Sequence, residues 1–281
     1  MPPRVPTVPL PGGGGIPQLG FGTYKVAPEQ AEGVVAEALA AGYRHIDTAA
    51  MYGNEREVGR ALAASGIPRA DLFVTSKLDN PYHAVAEVGP AFERSLDDLG
   101  LERLDLYLIH WPLARSTDYR ATWAAVVDLL ATGRVAAVGV SNFTAEHLRA
   151  VIDATGVVPA VNQVEINPYL SQEPLRALHR KWGIVTQAWS PLARGRVLTD
   201  PQVLAVAHRL GATPAQVVLA WHLDRGDVTF PKASSPARMA ENLGALDVAW
   251  DADARAVLDG LNRDERSGSD PDVVELDGGR R

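Results

Sequence analysis

The feature that most constrains this chain is an unbroken alternation between short apolar runs and longer stretches of helical periodicity, from Phe21 to Leu261. The helical stretches span 29–41, 54–65, 85–99, 121–131, 144–154, 171–182, 202–210, 214–223, 236–243 and 252–261. Thr144 and Ser171 read as N-caps, and Thr213 before Pro214 is a cap followed by a proline at the first helical position. Gly42, Gly66, Gly100 and Gly133 stand where helices should stop. Between the helices lie strand-like runs: one centred on Phe21, then 43–47, 71–77, 104–110, 135–140, 160–164, 184–188 and 228–230. Strands separated by helices pair in parallel and need cover on both faces. Eight such units are the number for a closed α/β barrel of the (β/α)8, or TIM, type. An open doubly wound sheet is the alternative. It lacks its dinucleotide fingerprint, since Lys25 stands where a third glycine should follow Gly20 and Gly22.

With 281 residues the chain suits one such barrel, which takes about 250. We read residues 1–281 as a single domain, with an N-terminal hairpin over 1–18 and a polar C-terminal tail over 262–281 lying across the active-site face. The hairpin expectation rests on four consecutive glycines, Gly12, Gly13, Gly14 and Gly15, between short apolar pieces. The absence of cysteine excludes disulfides, cysteine-ligated zinc, iron–sulfur clusters and thiol catalysis. A net charge of −7 argues against general nucleic-acid binding. No run approaches the ~18 apolar residues of a membrane span, and the proline-broken N-terminus lacks the apolar core of a signal peptide. The expectation is therefore a cytoplasmic monomer whose partner is a small molecule, without membrane or nucleic-acid contact. The seven histidines show neither His-x-His nor His-x-x-x-His spacing, so no metal is expected and a metal-dependent barrel hydrolase or isomerase is a weak reading.

In a barrel the reactive groups sit where strands end. Here the second strand ends in Asp47, the third in Lys77 and the fourth in His110, and Tyr52 lies in the loop five residues beyond Asp47. Any one of these alone is more often a cap, a solvated charge or a packing residue. Neighbouring strands are only about 5 Å apart, so together the four can converge. The set suits carbonyl reduction. A phenol is a poor proton donor at neutral pH, a nearby ammonium is expected to lower its pKa, and Asp47 would balance the buried ammonium. His110 can donate to a carbonyl oxygen as negative charge develops there. None of these groups delivers hydride, which requires a nicotinamide cofactor.

Several longer motifs, in order along the chain, point to a family. They are Ile16-Pro-Gln-Leu-Gly-Phe-Gly-Thr23, Gly42-Tyr-Arg-His-Ile-Asp-Thr-Ala-Ala-Met-Tyr-Gly-Asn-Glu55, Asp105-Leu-Tyr-Leu-Ile-His-Trp-Pro112, Gly139-Val-Ser-Asn-Phe143, Val161-Asn-Gln-Val-Glu165, Trp189-Ser-Pro-Leu192, and Pro231-Lys232 with Arg238, Glu241 and Asn242. The chain resembles the aldo-keto reductases over nearly its whole length, and within them the bacterial 2,5-diketo-D-gluconate reductase group. The resemblance implies a (β/α)8 barrel, NADPH as cofactor, and Asp47, Tyr52, Lys77 and His110 as the catalytic tetrad. It implies that Gly22, Thr23 and Asp47 border the cofactor, that Ser141, Asn142 and Gln163 hold the nicotinamide amide, and that Trp189 stacks on the ring where relatives commonly carry Tyr. It places Ser190, Leu192 and Gly195 beside the pyrophosphate. Lys232, Ala233, Ser234 and Arg238 fall at the 2′-phosphate, and Glu241 and Asn242 at the adenine. Tyr24, Tyr52, Asp79, His110 and Trp111 would line the substrate pocket.

Two departures from the family pattern stand out. Ala233 replaces the usual serine after Lys232, which removes one hydroxyl from the phosphate site. Leu78-Asp79-Asn80 replaces Leu-Trp-Asn, which puts a carboxylate where relatives have an aromatic wall, with Tyr82 as a possible substitute ring. Asp79 is expected to disfavour anionic substrates. The expected activity is NADPH-dependent reduction of aldehydes and ketones to alcohols, with Tyr52 as the general acid. The alternative from another class is a regulatory or redox-sensing barrel that holds NADPH with low turnover.

Overall fold

The fold is taken from a computed structural model that describes residues 5–275. Strands β1 (Thr7–Pro9) and β2 (Gly15–Pro17) pair antiparallel, with Val8 opposite Ile16. Gly12, Gly13 and Gly14 carry the turn at φ of 92°, 110° and 73°, a region open chiefly to glycine. Eight further strands follow: β3 (Phe21–Gly22), β4 (His45–Asp47), β5 (Phe73–Leu78), β6 (Leu104–Ile109), β7 (Val135–Ser141), β8 (Val161–Glu165), β9 (Val185–Trp189) and β10 (Val228–Thr229). They pair in chain order and all in parallel. Leu19 bridges in parallel to Thr229. Gly20 N–H donates to Thr229 O at 2.8 Å and Thr229 N–H donates to Gln18 O at 2.8 Å. These bonds join the first strand to the last and close the cylinder, as the eight-unit pattern requires.

Helices α1 (Pro28–Ala41), α2 (Glu55–Ala64), α3 (Val85–Leu99), α4 (Tyr119–Asp128), α5 (Ala145–Thr155), α6 (Glu173–Trp182), α7 (Pro201–Leu210), α8 (Pro214–Asp224), α9 (Pro236–Leu243) and α10 (Ala252–Asp259) surround it. Thr144 and Thr213 close capping boxes with His147 and Gln216. Ser171 is not a cap: Gln172, at φ 53°, occupies that position, and the Ser171 N–H instead donates to Asn262 Oδ1 at 2.8 Å. Helix α4 starts two residues earlier than the pattern suggests, because the Asp118 carboxylate takes the N–H groups of Arg120 and Ala121. It then tightens into a 3-10 turn, Leu129–Thr132, before Gly133.

Each strand sends alternate residues inward and outward. Ile46, Val74, Tyr107, Ile109, Val138 and Val140 face out and pack against the helices. Phe73, Leu106, Leu108, Val161, Val185 and Val228 form an apolar cluster with Leu10 and Ile16 of the hairpin, so the hairpin plugs the end where the strands begin. Toward the other end the inward positions become polar: His45, Thr75, Gln163, Gln187, Asp47 and Lys77, all fully or almost fully buried. His45 Nε2 lies 3.3 Å from Thr75 Oγ1, and Gln163 Nε2 donates to Gln187 Oε1 at 3.0 Å. Gly20 and Gly22 sit at the seam. A Cβ on Gly20 would stand 2.5 Å from His45 Nδ1, and one on Gly22 2.7 Å from Phe230 O. These glycines allow close packing inside the barrel rather than phosphate approach.

Candidate active site

The site is built on the polar ends of β4, β5 and β6. Lys77 is fully buried because its stem lines the barrel interior, and its ammonium reaches three oxygens. It donates to Asp47 Oδ1 at 2.6 Å, to Thr48 O at 2.8 Å and to Tyr52 Oη at 3.5 Å. The second Asp47 oxygen accepts from Gln163 Nε2 at 2.7 Å. Four residues from three strands and one loop thus form a single line of contacts: Gln163, Asp47, Lys77, Tyr52. The Tyr52 ring arrives there because the chain after β4 makes a 3-10 turn, Ala50–Tyr52, that ends at Gly53 with φ 66°. Asn54 then staples the neighbouring loop, donating to Thr23 O at 3.1 Å and Val26 O at 3.0 Å and accepting from Thr48 Oγ1 at 3.2 Å. That staple holds Tyr24 against Tyr52, with ring centroids 5.2 Å apart. The His110 ring meets Tyr52 edge-on at 5.7 Å.

Burial pushes the Asp47 carboxyl up and the Lys77 ammonium down, and their mutual contact opposes both shifts. Burial, then the Lys77 charge and His83, push His110 well below the usual imidazole range, so the ring is neutral. Tyr52 corrects the sequence expectation. Burial raises its phenol well above the ordinary range, with Asp47 and Tyr24 adding to the shift, rather than Lys77 lowering it. The physical reason is desolvation: the phenol is buried, which disfavours its charged form, and the Asp47 carboxylate behind the ammonium adds to the shift. Tyr52 therefore stands protonated.

Most of the residues expected on the cofactor side lie at or after the ends of β7 to β10. Ser141 Oγ donates to Gln163 O at 2.9 Å. Asn142, at φ 63°, donates to His110 O at 2.9 Å and accepts from Trp189 Nε1 at 2.8 Å. Ser190, Ala193, Arg194 and Gly195 all have positive φ, so the loop after β9 is coiled tightly next to Leu192. Lys232 is exposed and donates to Lys25 O at 2.8 Å. Ala233 is buried in the outer core, Ser234 is exposed, and Ser235 caps α9 by accepting from Arg238 N–H. Arg238 is exposed, Glu241 is half-buried, and Asn242 is buried beside the Tyr43 hydroxyl.

On the substrate side, Tyr24 is 53% exposed at the mouth, and Trp111 is half-buried. Asp79 is also half-buried, and its Oδ1 accepts the Asn80 N–H at 2.7 Å, capping a short 3-10 turn. One face of the Tyr82 ring is covered by the Arg94 guanidinium at 4.3 Å. Sequence reasoning passed over Asn54, Thr48 and Glu165. Asn54 and Glu165 lie inside the family-like motifs, but their roles depend on partners 28 and 102 residues away. Among the described residues no group of three or more His, Cys, Asp and Glu is placed to hold a metal, and no single helix is long and apolar enough to cross a membrane.

Comparison with known proteins bears on this arrangement. A profile of the Aldo/keto reductase family matches residues 13–263. An aldo-keto reductase of Mycobacterium sp. (strain KMS) is 45% identical over 273 residues, covering 97% of this chain and 99% of that protein. The 2,5-diketo-D-gluconic acid reductase B of Corynebacterium sp. (strain SHS752001) is 42% identical over 274 residues, with 97% and 99% covered. The crystal structure of a Gox0644 mutant in complex with NADPH superposes with a TM-score of 0.93 at 40% identity, covering 98% of this chain and all of that one.

Proposed function

The chain belongs to the aldo/keto reductase family, and from that premise we propose that it reduces small aldehydes and ketones with NADPH, Tyr52 supplying the proton. The observation that carries the reading is the buried line of contacts from Gln163 through Asp47 and Lys77 to the Tyr52 hydroxyl. NADPH, when bound, supplies the hydride that no side chain can. The residues present fit it. Trp189 offers a half-buried indole fixed through Nε1, and Ser141, Asn142 and Gln163 surround it with amides and a hydroxyl. Lys232, Ser234 and Arg238 gather at the start of α9, where a helix N-terminus favours a 2′-phosphate. A planar guanidinium suits that group well. Ser190, Leu192 and Gly195 would border the pyrophosphate, with Glu241 and Asn242 beside the adenine.

The proton step follows from charge. An alkoxide is far more basic than any phenol, so a protonated Tyr52 can donate to it although burial has raised its pKa. The tyrosinate left behind gains a charge-assisted bond from Lys77 Nζ, already 3.5 Å away. Asp47 keeps that ammonium charged and in place. His110, neutral at pH 7, donates one N–H to the substrate oxygen as it gains charge. Tyr24 and Trp111 supply apolar walls, and Asp79 sets the charge of that wall. Tyr52→Phe keeps the ring and removes the proton. Reduction of a small aromatic aldehyde, followed by loss of NADPH absorbance, is expected to fall by about 10²- to 10⁴-fold while NADPH binding persists. Unaltered turnover would overturn the assignment.

A further inference from the structure

Glu165 ends β8 fully buried, and each of its oxygens is taken by hydrogen bonds. Ser267 donates to Oε1 from its backbone N–H at 2.7 Å and also from its hydroxyl. Asn167 Nδ2 adds a bond to Oε1 at 3.4 Å, and Gly268 N–H donates to Oε2 at 3.0 Å. The C-terminal tail is thus drawn onto a strand end in the barrel mouth. Its beginning is anchored separately. The N–H groups of Arg263 and Glu265 both donate to Tyr169 O, at 3.2 and 3.0 Å, and the Arg263 guanidinium lies 3.7 Å from the Tyr169 ring centroid.

Glu165 and Trp189 are register partners on neighbouring strands. A tail held on Glu165 therefore arrives at Trp189. Gly268 touches the far edge of the benzo ring so closely that a Cβ would overlap Cη2 and stand 2.8 Å from Cζ3. The opposite end of the indole is fixed by Nε1 donating to Asn142 Oδ1 at 2.8 Å. The ring is gripped at both ends, and Glu165 binds the tail residue that makes one of the two grips.

We propose that Glu165 is a positioning residue that clamps Ser267 and Gly268 against Trp189, fixing the indole on which the nicotinamide ring lies and slowing cofactor release. The clamp rests on the reading of Trp189 as the nicotinamide wall. It explains why residue 268 is glycine although its backbone does not require one: any side chain would push the tail off the indole.

The test compares full-length wild type, Glu165→Gln, Gly268→Ala and the double variant by NADPH titration and stopped-flow dissociation. The first substitution turns one acceptor oxygen into a donor facing the tail, and the second leaves Glu165 untouched. Each single variant is expected to release NADPH about tenfold faster, a size typical of losing hydrogen bonds to a charged group. Because both act through one contact, the double variant should be no faster than either alone. Trypsin should also cut sooner after Arg266 in both single variants. Wild-type release rates in the single variants, effects that multiply in the double variant, or unchanged cleavage would each overturn the clamp. If wild type itself fails to bind NADPH, the cofactor reading falls first and the clamp falls with it.

Discussion

At the scale of single residues, the site divides into groups held by burial and groups held at the surface. Lys77 and Asp47 cannot rearrange without leaving a charge stranded in the barrel. Arg238 and Lys232 are exposed, Lys232 with its ammonium on Lys25 O. Ala233 offers no hydroxyl and Ser235 spends its own on the α9 cap, so in the proposed reading the 2′-phosphate would depend on Arg238, Lys232 and Ser234. Arg238→Ala should raise the NADPH Michaelis constant by about tenfold or more, the worth of a charge-assisted contact, and leave that for NADH nearly unchanged. Steady-state kinetics with both cofactors check this, and equal effects would remove the phosphate role. Asp79 is proposed to stand at the substrate wall. Asp79→Trp should raise turnover of keto-acids relative to neutral aldehydes by several-fold, with a small stability cost from losing the Asn80 cap. An unchanged ratio in a paired substrate assay would show that the carboxylate does not meet the substrate.

At the scale of elements, close approach matters more than propensity. Helix α2 places Gly59 directly against the C-terminal backbone of α3: a Cβ there would lie 2.6 Å from Leu99 C and 2.8 Å from its Cα. Backbone cannot give way as a flexible side chain can. Gly59→Ala should therefore cost about 1–3 kcal/mol by overpacking, although alanine is the better helix former. Urea unfolding monitored by circular dichroism measures it; a gain in stability would mean the α2–α3 crossing can open. The same reasoning separates Gly20 and Gly22 from the dinucleotide-loop glycines they mimic in sequence. Their lack of a Cβ admits His45 and Phe230 into the barrel seam.

At the scale of the whole molecule, the barrel carries a buried proton store that links its stability to pH. Glu55 opens α2, is 5% exposed, and accepts from Ser76 Oγ at 2.5 Å and Ser95 Oγ at 3.1 Å. Burial raises its carboxyl from 4.5 to about 7, against the lowering effect of those bonds. In that window the native state holds a proton that the unfolded chain has released. This contribution is therefore fully present below about pH 4.5 and is lost as pH rises through 7. Glu55→Gln keeps the shape without the charge. Relative to wild type it should gain up to about 3 kcal/mol at pH 8 and little at pH 5. Denaturant midpoints at the two pH values decide it, and a pH-independent difference would refute the linkage.

Much of this was legible in the order of residues. The period of the apolar positions carried the strand and helix alternation and hence the barrel. The strand ends marked Asp47, Lys77 and His110, and the motif around Gly42 to Glu55 marked Tyr52. Such features are local, since backbone geometry converts spacing into a face. What could not be read were relations between distant segments: the closing bond from Gly20 to Thr229, the Asn54 staple, and the tail lying on Glu165. The protonation of Tyr52 belongs with these. It depends first on the burial of the phenol and then on the Asp47 carboxylate and Tyr24 beside it, surroundings that exist only once the chain has folded.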